Sequence, residues 1–218
     1  PDFFSDLEQL AEQSEETLLR RVQEIVRDND TVLGNAAAAN GNAWFTVNPI
    51  PDAESDVPRE RVEFAIQEAA LENVNGDNKF ILDAQGLRPA IEPIMGGGQG
   101  AGFPNVIIDT DGVRRRIELL RRFEGAWFGQ LVFAPLLHWV GSPEVEVTRD
   151  RITLVEAQLP GEDEPRDVRI PLAPDGTLLL NWPKDSYLDS FRHLSYYELI
   201  YYQQLLEDLA FNLSIMED

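Results

Sequence analysis

Asp109 and Asp111 lie two residues apart, Gly112 and Val113 follow, and Arg114, Arg115 and Arg116 come next. Such a set could bind a cation, serve as an acid and base pair, or neutralise itself. A calcium loop wants oxygen ligands at alternating positions, a glycine at the sixth and a bidentate Glu at the twelfth. Here Val113 stands where further ligands should begin, so no metal is expected. A glycosidase-like pair needs one carboxylate desolvated while the other stays charged, and neighbouring arginines favour the ionised form of both. A carboxylate-dependent hydrolase using Asp109 and Asp111 is therefore kept only as a rival. The favoured reading is a hairpin turn held by aspartate side chains, with strands on either side between Val106 and Leu120. Alternation along the second strand puts Arg115 on the face of Val113, Ile117 and Leu119. Arg115 is then expected to point inward in a buried or half-buried ion pair, with an anion-ligand role as the alternative.

Other segments carry weaker chemistry. Gly96-Gly97-Gly98-Gln99-Gly100-Ala101-Gly102 suggests a phosphate cradle, but it lacks a Gly-Lys-Ser/Thr ending and the Gly-x-Gly-x-x-Gly register, and Phe103-Pro104 follows it. A flexible surface loop is expected there. His138 and His193 are isolated and make no metal set, and no Gly-x-Ser-x-Gly elbow offers a nucleophile. The late aromatics Trp182, Tyr187, Tyr196, Tyr197, Tyr201 and Tyr202 could line a small-molecule cleft or pack the last helix on strands. No cofactor is implied.

The elements that must position these residues follow from periodicity. The stripe Phe3, Leu7, Leu10, Leu18, Val22 and Ile25 predicts a long amphipathic first helix. Asp30 is expected to cap a short helix ending at Gly41, and Ala43 to Val47 reads as a buried strand. Pro49 to Pro58 reads as a loop, and Pro58 opens a helix bearing Val62, Ile66, Ala69 and Ala70. Weak extended signals cover 79–84 and 87–94. The run 126–140 predicts an apolar buried helix, kinked or broken at Pro135. Beyond Gly141 a period of two, with turns at Asp150-Arg151, Pro160-Gly161 and Asp175-Gly176, predicts a meander of short strands. Leu199, Tyr202, Leu206, Leu209, Leu213 and Met216 recur at spacings of three and four, the seam of a closing helix that could dimerise. The fold class expected is α/β, with α+β the near alternative: a central mixed sheet with a C-terminal antiparallel meander, flanked by helices.

Composition sets the remaining bounds. The 218 residues are 43% hydrophobic and carry 18 basic against 39 acidic side chains, a net charge of −21. That charge repels nucleic acid and anionic lipid, so neither is an expected partner. Sixteen basic residues are arginine, the type suited to bidentate carboxylate pairing. There is no cysteine, which removes disulfides and thiolate chemistry together.

The order of certain pieces resembles a known family. Gly102-Phe103, Asn105-Val106, Asp109-Thr110-Asp111-Gly112-Val113 with Arg115-Arg116 and Leu119, an apolar helix, Ile170-Pro171-Leu172, Asp175-Gly176, Leu180-Asn181-Trp182-Pro183 and Leu194-Ser195-Tyr196-Tyr197-Glu198-Leu199 together resemble the second type of the CHASE family. The likeness covers roughly 100–200, with fainter echoes at Pro1-Asp2 and 30–48; Glu118 stands where the family carries a proline. The resemblance implies an extracellular sensor domain of bacterial adenylate cyclases, diguanylate cyclases or kinases, without catalytic residues of its own. It also implies one domain over 1–218, cut from a membrane-anchored parent on the extracytoplasmic side of the inner membrane. The parent would self-associate and respond to a small-molecule or protein signal. Asp109, Asp111, Arg115, Arg116, Asn181, Trp182 and Tyr196 are the signature positions it marks, for ligand binding or for structure.

Overall fold

Helix α1, Asn29–Asn40, begins where Asp28 Oδ1 accepts the N–H groups of Asp30 and Thr31, each at 3.1 Å. The cap is thus Asp28, and Asp30, the expected cap, sits in the first turn. Gly41 ends the helix in the left-handed region, φ 69°, and its N–H returns to the Ala37 carbonyl. The computed structural model describes residues 28–76 and 79–217, so the amphipathic stripe over 3–27 lies outside the described residues.

Strand β1, Trp44–Ile50, continues through Pro49, where the sequence predicts a loop. It lies between β3, Gly86–Pro89, paired antiparallel, and β4, Gly100–Gly102, paired parallel. Helix α2, Arg59–Ala69, covers this small sheet with Val62, Ala65 and Ala69 buried. Pro58 is its N-cap, the place where a missing N–H costs nothing. The short helix α3, Glu92–Met95, replaces the end of the expected extended run.

The glycine stretch is a packed seam and not a flexible loop. Gly100–Gly102 is itself a strand, and Gln99 N–H bonds the Ala43 carbonyl at 2.8 Å. A Cβ on Gly97 would stand 2.0 Å from the Gly34 carbonyl oxygen, and one on Gly34 1.9 Å from that of Pro93. The glycines are there because backbone meets backbone.

Residues 126–140 divide differently from the expected single helix. Strand β6, Leu120–Phe123, turns through Glu124 at φ 49° and Gly125 at φ 81° into β7, Ala126–Gly129. Two successive left-handed residues make the type I′ geometry that fits strand twist. Helix α4 is confined to Phe133–Trp139, and Pro135 falls in its first turn, where no kink follows. Nor is it buried all round, since Leu136 and Trp139 are exposed.

The meander forms as expected over β8, Glu144–Val147, β9, Arg151–Ala157, and β10, Arg166–Pro171. Its free edge receives the short strand β2, Val74–Gly76, in parallel. Strand β11, Leu178–Leu179, leaves the meander and pairs with β5, Arg116–Ile117. No hairpin therefore spans Val106 to Leu120: the turn at 109–112 exists, but its following strand chooses a distant partner.

The architecture is mixed α/β, with two mixed sheets and two ribbons. Two apolar clusters form the core. One gathers Ile117, Leu120, Phe133, Leu137, Val145, Ile152 and Leu154; the other gathers Val47, Val62, Leu87, Phe103, Phe123 and Phe128. Each fully buried phenylalanine contributes roughly 1.5–3 kcal/mol. Strand β6 supplies Leu120 to the first cluster and Phe123 to the second. The chain divides into two compact units, Pro1–Leu180 and Asn181–Asp218. The second contains α5, Tyr187–Ser190, and α6, Tyr196–Glu217.

Candidate functional site

The turn at Asp109 is set by backbone bonds, Gly112 N–H to the Asp109 carbonyl at 2.8 Å and Asp109 N–H to the Val113 carbonyl at 3.0 Å. Asp111 Oδ1 also accepts from Val113 N–H at 3.1 Å. Gly112, at φ 81°, supplies the left-handed residue that closes the turn. The arginines then fold back. Arg115 donates from both terminal nitrogens to Asp111, at 2.9 and 2.7 Å, and more weakly to Asp109 at 3.4 Å. Arg116 bonds Asp109 Oδ1 through Nε at 3.0 Å and also through Nη2.

A second turn completes the group. Arg116 Nη1 reaches Asp175 Oδ2 at 2.6 Å, while Asp175 Oδ1 accepts from Thr177 N–H and Oγ at 3.2 and 2.7 Å. The register of β5 against β11, Ile117 opposite Leu178, brings the two Asp-Gly turns together. Arg116 is the link between them. Asp175 carried the same Asp-Gly signature as Asp111, and that shared signal was the available clue to this pairing.

The expected geometry of Arg115 is corrected. Its side chain is 48% exposed and its pairing is local, whereas Arg116 is the less exposed at 36% and bonds Asp109, which is only 16% exposed. The residues after the turn are irregular until Arg116, so strict alternation does not operate at Val113 and Arg115. The arginine that does go inside is Arg121, whose side chain is 8% exposed. It pairs with Glu118 and lies 5.9 Å from the Phe103 ring centroid.

Electrostatics decide what this cluster can do. Hydrogen bonds from Arg116 hold the Asp109 carboxyl below its ordinary range, and those from Arg115 hold Asp111 down at about 2. Asp175 is lowered chiefly by the Thr177 hydroxyl. None of the three is pushed up toward a general acid. Asp109 and Asp111 are engaged by guanidinium and backbone N–H groups, and among the described residues no set of three or more His, Asp or Glu could hold a metal. The cluster is a clasp between two turns.

The remaining signature residues belong to the second unit. Asn181, Trp182 and Tyr196 are exposed, Trp182 at 59% and Tyr196 at 76%. Tyr197 and Tyr201 stack with ring centroids 6.3 Å apart, one helical turn from each other. His138 is exposed on α4, with its ring centroid 5.8 Å from that of Trp44.

Among protein-family models, the one described as the CHASE2 domain matches residues 3–214. No curated protein and no solved structure matches the chain.

Proposed function

Because the chain belongs to the CHASE2 domain family, sensory extracellular domains found in signalling proteins, we propose that it is the extracytoplasmic sensor of a bacterial transmembrane receptor. Its output partner in the same polypeptide is an adenylate cyclase, diguanylate cyclase or kinase. Ligand binding or dimer rearrangement biases that output by stabilising one of two states over the other. The observation that carries this reading is the family match over nearly the whole chain. The clasp supports it too, since its carboxylates are tied to arginines and none is poised for acid or base work. Among the described residues no helix is long and apolar enough to cross a membrane, so the reading requires spans elsewhere in the polypeptide. The coding sequence on both sides of this segment tests it: apolar stretches of about 20 residues are expected on each side, and their absence overturns the proposal.

Self-association is favoured by one further observation. In α6, Leu199, Leu206, Leu209 and Leu213 are all between 43% and 56% exposed, an unusual state for a leucine seam. Of the positions flanking the seam, Gln203, Leu205, Ala210 and Asn212 are uncharged and the acidic Glu198 and Glu217 fall at its two ends, so the middle of the seam brings no like charges together between two copies of a strongly acidic chain. Substituting Leu206→Glu is expected to shift the sedimentation-velocity distribution from dimer toward monomer. A wild-type chain that stays monomeric at high concentration would rule out this route.

A further inference from the structure

Two long stretches of the sequence, 31–51 and 125–143, contain no acidic or basic residue apart from His138, in a chain that is 26% charged. Burial does not account for this. From Thr31 to Asn42 only Gly34 and Ala37 are buried, and in the second stretch Val132 and Trp139 stand 65% and 67% exposed, with Leu136 exposed as well. The two stretches meet at the surface. Asn42, just past the Gly41 stop of α1, lines a shallow hollow of about 370 Å³ together with Val132, Pro135, Leu136, His138 and Trp139 of the α4 region. With His138 neutral, none of these six residues carries a formal charge. An exposed tryptophan among other exposed apolar side chains marks a surface built to be covered, and it is a residue type enriched where one protein buries another.

We propose that this hollow is a contact surface between two copies of the chain, related by a two-fold axis so that Trp139 of each copy fills the hollow of the other. Charge selects the occupant. At a net charge of −21, two copies repel wherever their acidic surfaces face each other, and a face lined by uncharged residues is where that repulsion is weakest. A cationic partner would be drawn to the acidic surface and would find no counter-charge here. Anionic lipid is repelled by the chain as a whole. A two-fold contact is self-complementary, so a single patch has to supply both the group that inserts and the recess that takes it. Trp139 and the hollow beside it supply the two. Depleted of charge and carrying a large aromatic, the patch has the composition of an interface core.

The inference deepens the sensor reading and rests on it for its biological meaning, but it places a contact in the first compact unit, whereas the α6 seam belongs to the second. Sedimentation velocity on the full chain compares Trp139→Lys, Val132→Lys and Leu206→Glu with the wild type, each checked for folding by circular dichroism. Both lysine variants are expected to weaken dimerisation at least about tenfold, as when an aromatic anchor is removed from an interface. Lysine lowers the net repulsion between copies, so a loss of association reports on the patch itself. The chain has no cysteine, which allows a second readout. In the Leu206→Glu background, Leu136→Cys treated with a short bis-maleimide is expected to link into dimers, while Glu164→Cys, on an exposed turn, is not. Lysine variants that associate like the wild type, or a Leu136→Cys chain that links no better than Glu164→Cys, overturn the hollow and leave the seam and the sensor reading standing. If association is unchanged while Trp139→Lys loses binding to neutral phosphatidylcholine vesicles, the face belongs to a lipid surface and the proposal falls as well. The absence of flanking membrane spans overturns the sensor reading whatever the sedimentation gives.

Discussion

Arg115 and Arg116 are adjacent in sequence and do different work. Arg115 pairs with Asp111 four residues away, a contact the turn would keep close in any case, while Arg116, itself bonded to Asp109, reaches Asp175 across 59 residues. Replacing Arg116 with Gln is expected to lower the urea midpoint at least about twice as much as Arg115→Gln, because exposed local pairs add little. Proton linkage gives a second prediction. The carboxyls of Asp109, Asp111 and Asp175 are depressed in the folded chain, so the unfolded state takes up protons first. The clasp's stabilising effect is complete above the unfolded carboxylate range, about pH 4, and is lost as pH falls toward about 2. Thermal midpoints measured across that window should fall less steeply for Arg116→Gln than for the wild type. From the residues alone the pairing of this acidic turn with arginine was legible. Which arginine turned inward was not, because alternation presumes a regular strand and the backbone becomes one only at Arg116.

At the scale of elements, the glycine seam gives the sharpest expectation. Gly97→Ala places a Cβ against the Gly34 backbone, where no side chain can yield, and should destabilise by about 2–4 kcal/mol. Gly112→Asn is the contrast: its left-handed φ suits asparagine and nothing lies within 4 Å of the added carbon, so a loss under about 1 kcal/mol is expected. Chemical denaturation of the two variants checks both. The same seam shows where sequence periodicity stops informing. A glycine run carries no apolar pattern, so close backbone packing and slack loop look alike until the neighbours are known. The meander was legible because each strand alternates and each turn carries its own signal. The β6–β7 hairpin was not, since Glu124 adopts a left-handed state that its type rarely takes. The apolar run beyond it reads equally well as strand or helix.

For the whole molecule, the excess of 39 acidic over 18 basic residues is a repulsion that the ion pairs only partly relieve. Raising salt from about 20 mM to about 500 mM should screen it and lift the thermal midpoint by about 2–5 °C. A midpoint that drops would mean the ion pairs outweigh the repulsion. The mixed fold class was legible from the succession of helical and strand periods, and the family from motif order, although the quoted motifs spanned roughly 100–200 and the family match runs over 3–214. The division into small sheets was hidden, because strands of two to four residues leave almost no periodic trace. The parallel pairing of β2 with β8 has a further consequence. Asn75 bonds Glu144 across 69 residues at 2.7 Å, so β2 has no partner until most of the polypeptide has been made. A chain delivered to the far side of a membrane from its N-terminal end would cross with that edge still open. Folding is then gated by the arrival of the C-terminal half, and refolding should be slow for a domain of this length.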